Sequence, residues 1–494
     1  MTVPSPLLVD ATAVGAVALG AVVDGAFRGT HGETIVVENP ADRTELARVT
    51  EATPDDVDAA VASAQRAYAS VWRRVSAPER GRILFRVASA IRQEAEAFAR
   101  LETYDTGKPL RQARADVETA ARYFEFYAGA ADKIYGETIP GDGTYWSYTL
   151  REPYGVVAHI TPWNSPISQM CRGVAPCLAA GNTVVVKPSE ITPLSSLAAA
   201  RLFVDAGLPA GVCNVIAGRG ASTGAALVSH PGVAHVGFTG SVPTGKQILR
   251  MAAERVIGVN LELGGKSPTI VLPDADLDAA VNAGAMAVVR NAGQSCFATT
   301  RLVVHRDIAE EYAKRLATAV GDLTVGPGID DPDLGPVASG QQLDKVMAAI
   351  ASGRAEGARL LVGGDRPALP GHFLMPAVLA GVRNDMRVAR EEIFGPVQTV
   401  LEFTDLDEAV AIANDSIYGL AAGVFTRDIA TAHRLARDLE AGQIQINRYP
   451  LGGVETPFGG YKQSGLGREK GLAALDHYTQ LKTVIVSDDP AATR

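Results

Sequence analysis

The stretch GVVAHI, residues 155–160, is where the hydrophobic pattern of this 494-residue chain changes. Upstream, over residues 55–130, segments such as DVDAAVASAQRAYASVW and RGRILFRVASAIRQEAEAFARLE place apolar residues at three- and four-residue spacing, the period of amphipathic helices. GVVAHI is instead a short apolar run with β-branched residues. TVVVK (183–187), CNVIA (213–217) and VAHVGF (233–238) repeat it, with helical stretches between. Runs apolar throughout suit strands buried on both faces, and their alternation with helices reads as βαβ units on a parallel sheet. A second series follows in NLEL, PTIVL, RLVVH and QTVLEF, separated by helical stretches such as 308–320, 341–352 and 407–414. Two α/β units in sequence are expected, joined near Gly264-Gly265. Residues 136–152, GETIPGDGTYWSYTLRE, alternate apolar and polar around a Gly/Pro turn, as a hairpin does. Such a hairpin has no core of its own and must pack on another element or subunit. The closing DDPAATR reads as a frayed tail.

Composition narrows the function classes. A net charge of −9, from 46 basic and 55 acidic residues with no basic run, argues against nucleic acid. It offers no long-range attraction to an anionic substrate either, so any anion site must be local. The cysteines Cys171, Cys177, Cys213 and Cys296 form no CxxC, and no histidine stands at metal-ligand spacing. No metal site and no disulfide framework are expected, and a reducing cytoplasm follows. The apolar stretch 13–23, AVGAVALGAVV, is too short to span a bilayer, and Asp10 stands where a signal peptide carries positive charge, so neither export nor a membrane anchor is expected.

Two glycine loops stand out. GRGASTG (218–224), which includes Gly220, follows a strand and opens a helix, but its last glycine is one place late for GxGxxG. GSVPTGKQ (240–247) imitates a P-loop; Gln247 stands where a Mg²⁺-binding hydroxyl is needed, so ATPase chemistry is rejected. The helix start at Gly240-Ser241 can still hold a phosphate on free N–H groups, or Ser241 is a plain N-cap. KPSE (187–190) lies beyond the strand TVVVK, where open α/β sheets bind ligands. Lys187 and Glu190 there suit adjacent ribose hydroxyls, and the acid favours NAD over NADP; a solvated turn is the alternative.

Three further stretches carry reactive groups. In GQSCFATTR (293–301), Gly293 and Gln294 put Cys296 in a loop before a helix or turn, where N–H groups can lower a thiol pKa; an inert buried thiol is the alternative. Glu262 lies in the apolar strand of LELGGKSP (261–268), where burial raises a carboxylate toward general-base duty, unless it faces water. Asn164 in TPWNSP (161–166) sits between stiffening prolines and can donate to an oxyanion, or can make an Asx turn. Thiol, carboxylate, amide and a dinucleotide-type sheet together are the apparatus for oxidising an aldehyde through a thioester.

With these residues the sequence resembles the aldehyde dehydrogenase superfamily of the hydrolytic type, nearly end to end. DTGKP (105–109), TPWNSP, KPSE, FTGS (238–241), LELGGKSP, GQSCFATTR, EEIFGPV (391–397) and PFGGYKQSGLGRE (457–469) occur in the family's order. The resemblance implies two Rossmann-like parallel-sheet domains and a small β-hairpin oligomerisation element. An NAD-binding domain would span 1–134 and 155–264, a catalytic domain 265–477, and the oligomerisation element 135–154 and 478–494, giving a homodimer or homotetramer. It implies Cys296 as nucleophile, Glu262 as general base, Asn164 as oxyanion donor with the Cys296 N–H, and Glu469 as a second, proton-relaying glutamate. Lys187 and Glu190 would meet the adenosine ribose. Trp163 would lie beside the cofactor, Ser241 near the pyrophosphate, and Glu392 and Phe394 at the nicotinamide ribose and ring. NAD is the implied cofactor, with NADP as an alternative.

Two departures bear on the substrate. Ser165 replaces a frequent Phe, and Arg172 replaces a frequent Trp, as in semialdehyde dehydrogenases that take a carboxylate-bearing substrate. Arg172 would then hold that carboxylate bidentately, or pair with an internal acid. Segments 165–175, 290–301 and 446–458 are expected to line the tunnel. A CoA-acylating semialdehyde dehydrogenase, which Glu262 argues against, and a silent NAD-binding homologue are the competing readings.

Overall fold

A computed structural model describes residues 19–487. The tail at 488–494 and most of the apolar stretch at 13–23 lie outside the described residues; the part that is described, 19–23, is buried and ends in the strand Ala21–Val23.

The first sheet is built around five parallel strands. Across it they run Gly258–Glu262, His235–Thr239, Val156–Ile160, Thr183–Lys187 and Cys213–Ile216. The chain starts at Val156–Ile160, winds outward through two neighbours, then returns to the other side. This reversal opens a crevice beyond the carboxyl ends of the central strands, where open α/β sheets bind ligands. Consecutive residues of one strand serve two cores. Val184 and Val186 join Phe124, Leu178 and Phe203 on one face, while Val185 joins Val61, Ile216 and Val236 on the other. That two-sided burial explains the unbroken apolar runs.

The helices ahead of this sheet, Pro54–Ser70, Ala77–Gln93, Ala95–Thr106 and Leu110–Ala130, fall where the three-and-four spacing placed them. Thr53 and Asp56 close a reciprocal capping box on the first, and Ser76 caps the second. Some short elements escaped the sequence pattern. Ala21–Val23 and Ala26–Arg28 extend the sheet antiparallel at one edge, and Gly465–Leu466 does so beside Gly258–Glu262. Thr34–Glu38 pairs with Glu45–Thr50 in a separate ribbon. Those among them of only two or three residues are too short to show a period.

The chain leaves the first sheet at Glu262, crosses Gly264-Gly265 and enters the second at Ser267–Val271. This sheet runs Arg359–Val362, Ala377–Ala380, Val397–Phe403, Thr299–His305, Ser267–Val271, Ala421–Phe425 and Gln443–Ile446, parallel except for its first strand. The carboxyl end of Gly258–Glu262 therefore runs directly into the amino end of a second-sheet strand. Thr138–Ile139 and Tyr145–Pro153 form the expected hairpin, and Thr479–Ser487 pairs antiparallel along its long strand.

Candidate active site

The first sheet delivers its groups from carboxyl ends. Asn164 follows Val156–Ile160, Lys187 ends Thr183–Lys187, Ser241 follows His235–Thr239, and Glu262 ends Gly258–Glu262. The second sheet delivers Cys296 just before the amino end of Thr299–His305, and Glu392 and Phe394 before Val397–Phe403. The two sets meet across the join. Gly265 is indispensable there, because a Cβ would lie 2.5 Å from the Cys296 carbonyl oxygen.

The loop carrying Cys296 is held in an unusual shape. Asn291 (φ 50°), Ala292 (φ 51°) and Gly293 (φ 71°) are all left-handed, a conformation that costs a non-glycine residue about 1–2 kcal/mol. Side chains pin it. Gln294 Nε2 donates to the Asn291 carbonyl (2.9 Å), and Gln294 Oε1 accepts from the Ala338 N–H (2.9 Å). Asn291 Nδ2 donates to the Asn164 carbonyl (2.6 Å), and Asn164 Nδ2 donates to the Gln294 carbonyl (2.9 Å). Asn164 is thus locked to the cysteine loop rather than making an Asx turn, and its buried Oδ1 has no partner. On its other flank, Lys108 of the DTGKP stretch donates to Ser165 Oγ (3.1 Å) and to Asp116 (2.5 Å), with Glu102 3.6 Å away. Gln294 holds the loop as the sequence suggested, whereas Lys108 and Asn291 were not singled out there; an asparagine three residues before that glutamine was the available signal.

The expectation of a lowered thiol pKa is not met. A strand, not a helix, follows Cys296, so no helix N-terminus serves it. Burial pushes the thiol up to about 11, and Arg172 opposes this in part. Cys171, Cys177 and Cys213 are buried packing residues. Glu262 is 1% exposed, and neither carboxylate oxygen has a hydrogen-bond partner. Burial first, and the Glu469 charge second, hold it well above the usual carboxylate range.

Arg172 lines the cavity at Cys296, but its guanidinium is engaged: Nε forms a buried ion pair with Glu469, and NH2 donates to Thr239 Oγ1 (3.2 Å). Of the two sequence readings, pairing with an internal acid is the one this geometry realises. The cavity, about 650 Å³, draws on the three expected segments and also on Asp116, Tyr123 and Lys470. A helix face and a residue just past the last motif showed no sequence signal for lining it.

A second cleft, about 770 Å³, lies beyond the strand ends. Trp163, Lys187, Glu190, Gly220, Gly240 and Ser241 all line it. Lys187 Nζ donates to the Gly218 carbonyl (2.7 Å) and to Glu190 (3.4 Å). Ser241 caps the helix Val242–Ala253, accepting from the Thr244 N–H at 3.4 Å, so it is the N-cap and also presents that helix end to the cleft. Gly220 opens a wide π-helical turn, Gly220–Gly224, before the helix Ala225–Ser229. Val228, Ile248 and Met251 give the cleft apolar wall for a flat ring. At its inner end Trp163 meets Phe394 edge-on (5.2 Å between centroids). Glu392 accepts from the Gly265 N–H (3.0 Å), and burial raises it to about 7. Apolar walls, a Lys–Glu pair and a free helix start fit a dinucleotide.

A doubly wound sheet with an open crevice, abutting a second sheet that brings a thiol to an amide and a carboxylate, has the layout of a nucleotide-using enzyme. The chain belongs to the aldehyde dehydrogenase family, whose model matches residues 27–484. It is 48% identical over 461 residues to a betaine aldehyde dehydrogenase of Cereibacter sphaeroides, covering 93% of this chain and 95% of the relative. An aldehyde dehydrogenase of Bacillus cereus solved with NAD⁺ superposes with a TM-score of 0.95 at 42% identity, over 98% of this chain and 99% of that one. An indole-3-acetaldehyde dehydrogenase of P. syringae, also solved with NAD⁺, gives 0.93 at 40%, over 95% of this chain and 96% of that one. The aldehydes named for these relatives differ, so the substrate must be sought in the cavity itself.

Proposed function

We propose that the chain oxidises an aldehyde to a carboxylic acid with NAD, through a thioester on Cys296 hydrolysed by water that Glu262 activates. The observation that carries this is the junction of the sheets, which joins Asn164 to the Cys296 loop and leaves a buried, unpartnered Glu262 within electrostatic reach of the thiol. Cys296 Sγ, as thiolate, bonds to the aldehyde carbon, whose oxygen becomes an oxyanion. The second Asn164 Nδ2–H and the Cys296 N–H are the donors for that charge. NAD, when bound, supplies the acceptor for the hydride that leaves this carbon, and Lys187, Glu190, Ser241, Trp163, Glu392 and Phe394 are the residues that would hold it. Loss of hydride leaves the thioester. Glu262, whose burial disfavours its charged form, must be ionised to take a proton from water; the hydroxide attacks the thioester carbon, and Cys296 departs as thiolate with release of the acid. Glu262 favours water over CoA as acceptor. Glu469, held by Arg172, stands beside Glu262 as the second glutamate of the proton route.

Glu190 disfavours a 2′-phosphate and so supports NAD over NADP. Betaine aldehyde enters as a candidate substrate through the relatives' name, and a carboxylate-bearing semialdehyde through the cavity's arginines. Exposed Trp146, Leu150, Leu481 and Ile485 on the hairpin and its partner strand suit burial against a second copy, as dimer or tetramer, which light scattering would measure. Four free cysteines suit the cytoplasm. Reduced-cofactor formation by purified protein, with Cys296→Ala alongside, tests the reaction. Undiminished turnover in that variant would remove the thioester route.

A further inference from the structure

The cavity at Cys296 holds more positive charge than its own side chains neutralise. Several of its charged residues are already paired: Arg172 with Glu469, Arg122 with Glu125, Asp116 with Lys108, and Glu118 with Arg92. Arg290, Arg448 and Lys470 remain, and none has a hydrogen bond or ion pair among the described residues. One lining carboxylate, Glu455, is likewise unpaired. Local charge therefore opposes the chain's overall −9.

Two of the cavity's aromatic rings, Phe297 and Phe458, are occupied too. Arg290 Cζ lies 5.3 Å from the Phe297 ring centroid. Lys470 Nζ lies 5.4 Å, and Arg172 Cζ 5.5 Å, from that of Phe458. A quaternary ammonium is recognised by aromatic faces left open to it. Here cations of the chain stand over Phe297 and Phe458, and a cationic aldehyde would add like charge to them. An anion would instead find two or three unsatisfied donors.

We propose that the substrate is an aldehyde carrying a carboxylate, bound by Lys470 and Arg290. This rests on the aldehyde-oxidising reading above and moves the anion contact from Arg172, which Glu469 occupies, to two residues that have no ion pair among the described residues. The state of Lys470 agrees: burial first, then the Arg172 and Arg290 charges, push its ammonium down to about 8, against a smaller opposing pull from Glu455. An arriving carboxylate relieves that repulsion.

The test compares kcat and KM for glutaric semialdehyde, pentanal and a trimethylammonium aldehyde of similar length, with wild type, Lys470→Met, Lys470→Arg and Arg290→Gln. Wild type should prefer the carboxylate over the neutral aldehyde through KM. Lys470→Met should lower that preference by at least about tenfold, the worth of one charge-assisted contact, and Lys470→Arg should restore most of it. A preference unchanged in both Lys470→Met and Arg290→Gln, or a wild type that favours the trimethylammonium aldehyde, overturns the proposal. Calorimetry of glutarate binding to the Cys296→Ala protein reads the same site without turnover. Binding weakened by Lys470→Met supports the anion site even where no aldehyde is oxidised, in which case only the oxidation reading falls. Equal glutarate binding with and without Lys470 overturns it.

Discussion

Replacing Arg172 with Met tests the electrostatic arrangement of the site most directly. Arg172 is 6% exposed and Glu469 is 1% exposed, and they form one ion pair. Met fills a similar volume but leaves Glu469 buried without its counter-charge. Breaking a buried pair in this way costs about 3–5 kcal/mol. A 494-residue chain unfolding as one unit has an entropy of unfolding of about 1 kcal/mol per degree, from about 2.1 cal/mol/K per residue. The expected loss in Tm is therefore about 3–5 °C. Glu469→Leu alone should also destabilise, since it strands the guanidinium. The double variant Arg172→Met/Glu469→Leu removes both charges and should lose less than the sum of the singles, by about 2–3 kcal/mol of coupling. Scanning calorimetry of the four proteins gives the cycle. If the losses add to within about 0.5 kcal/mol, the two residues do not act as a pair and the reasoning is refuted.

Other outcomes follow from the same geometry. Alkylation of Cys296 in the cofactor-free protein should keep accelerating up to about pH 11, and in Arg172→Met the midpoint should lie higher, because Arg172 pulls the thiol down; an iodoacetamide pH–rate profile reads both. Glu262→Gln should slow turnover about 10²–10⁴-fold and leave a stoichiometric burst of reduced cofactor in stopped flow, since its loss stalls hydrolysis rather than hydride removal. Folding raises the Glu262 pKa, so the native chain holds that proton above pH values at which the unfolded chain has lost it, and stability falls as pH rises. The Tm of Glu262→Gln relative to wild type should therefore improve between about pH 5 and pH 8; a constant difference would mean the carboxylate is not buried uncompensated. Glu190→Ser should raise NADP use relative to NAD by about tenfold in kcat/KM, since it removes the charge that opposes a 2′-phosphate.

Much of the fold was legible because local sequence carries it. TVVVK reads as a doubly buried strand from five residues, and the three-and-four spacing over 55–130 marks its helices without reference to anything distant. Ala377–Ala380, Ala421–Phe425 and Gln443–Ile446 were harder, being strands of four or five residues whose neighbours supply the burial that makes them strands. The reactive groups were legible as types: a cysteine after Gly-Gln, an acid in an apolar strand, an amide between prolines. Their partners were not. Asn164 bonds to the loop of Cys296 from another sheet, and Lys108 reaches Ser165 from the helical layer.

The sequence alone therefore determines the alternation of strands and helices, the turn-rich ends where chemistry-bearing residues sit, and the family those residues resemble. Each depends on neighbours along the chain. Tertiary structure decides what depends on distance through space. It gives Arg172 to Glu469, leaves Lys470 and Arg290 without ion pairs among the described residues, turns the Asp116–Tyr123 helix face into cavity wall, and raises the Cys296 thiol where a lowered one was expected. Charge and burial act across a few ångströms of packed protein, and the residues that set them here come from remote parts of the chain.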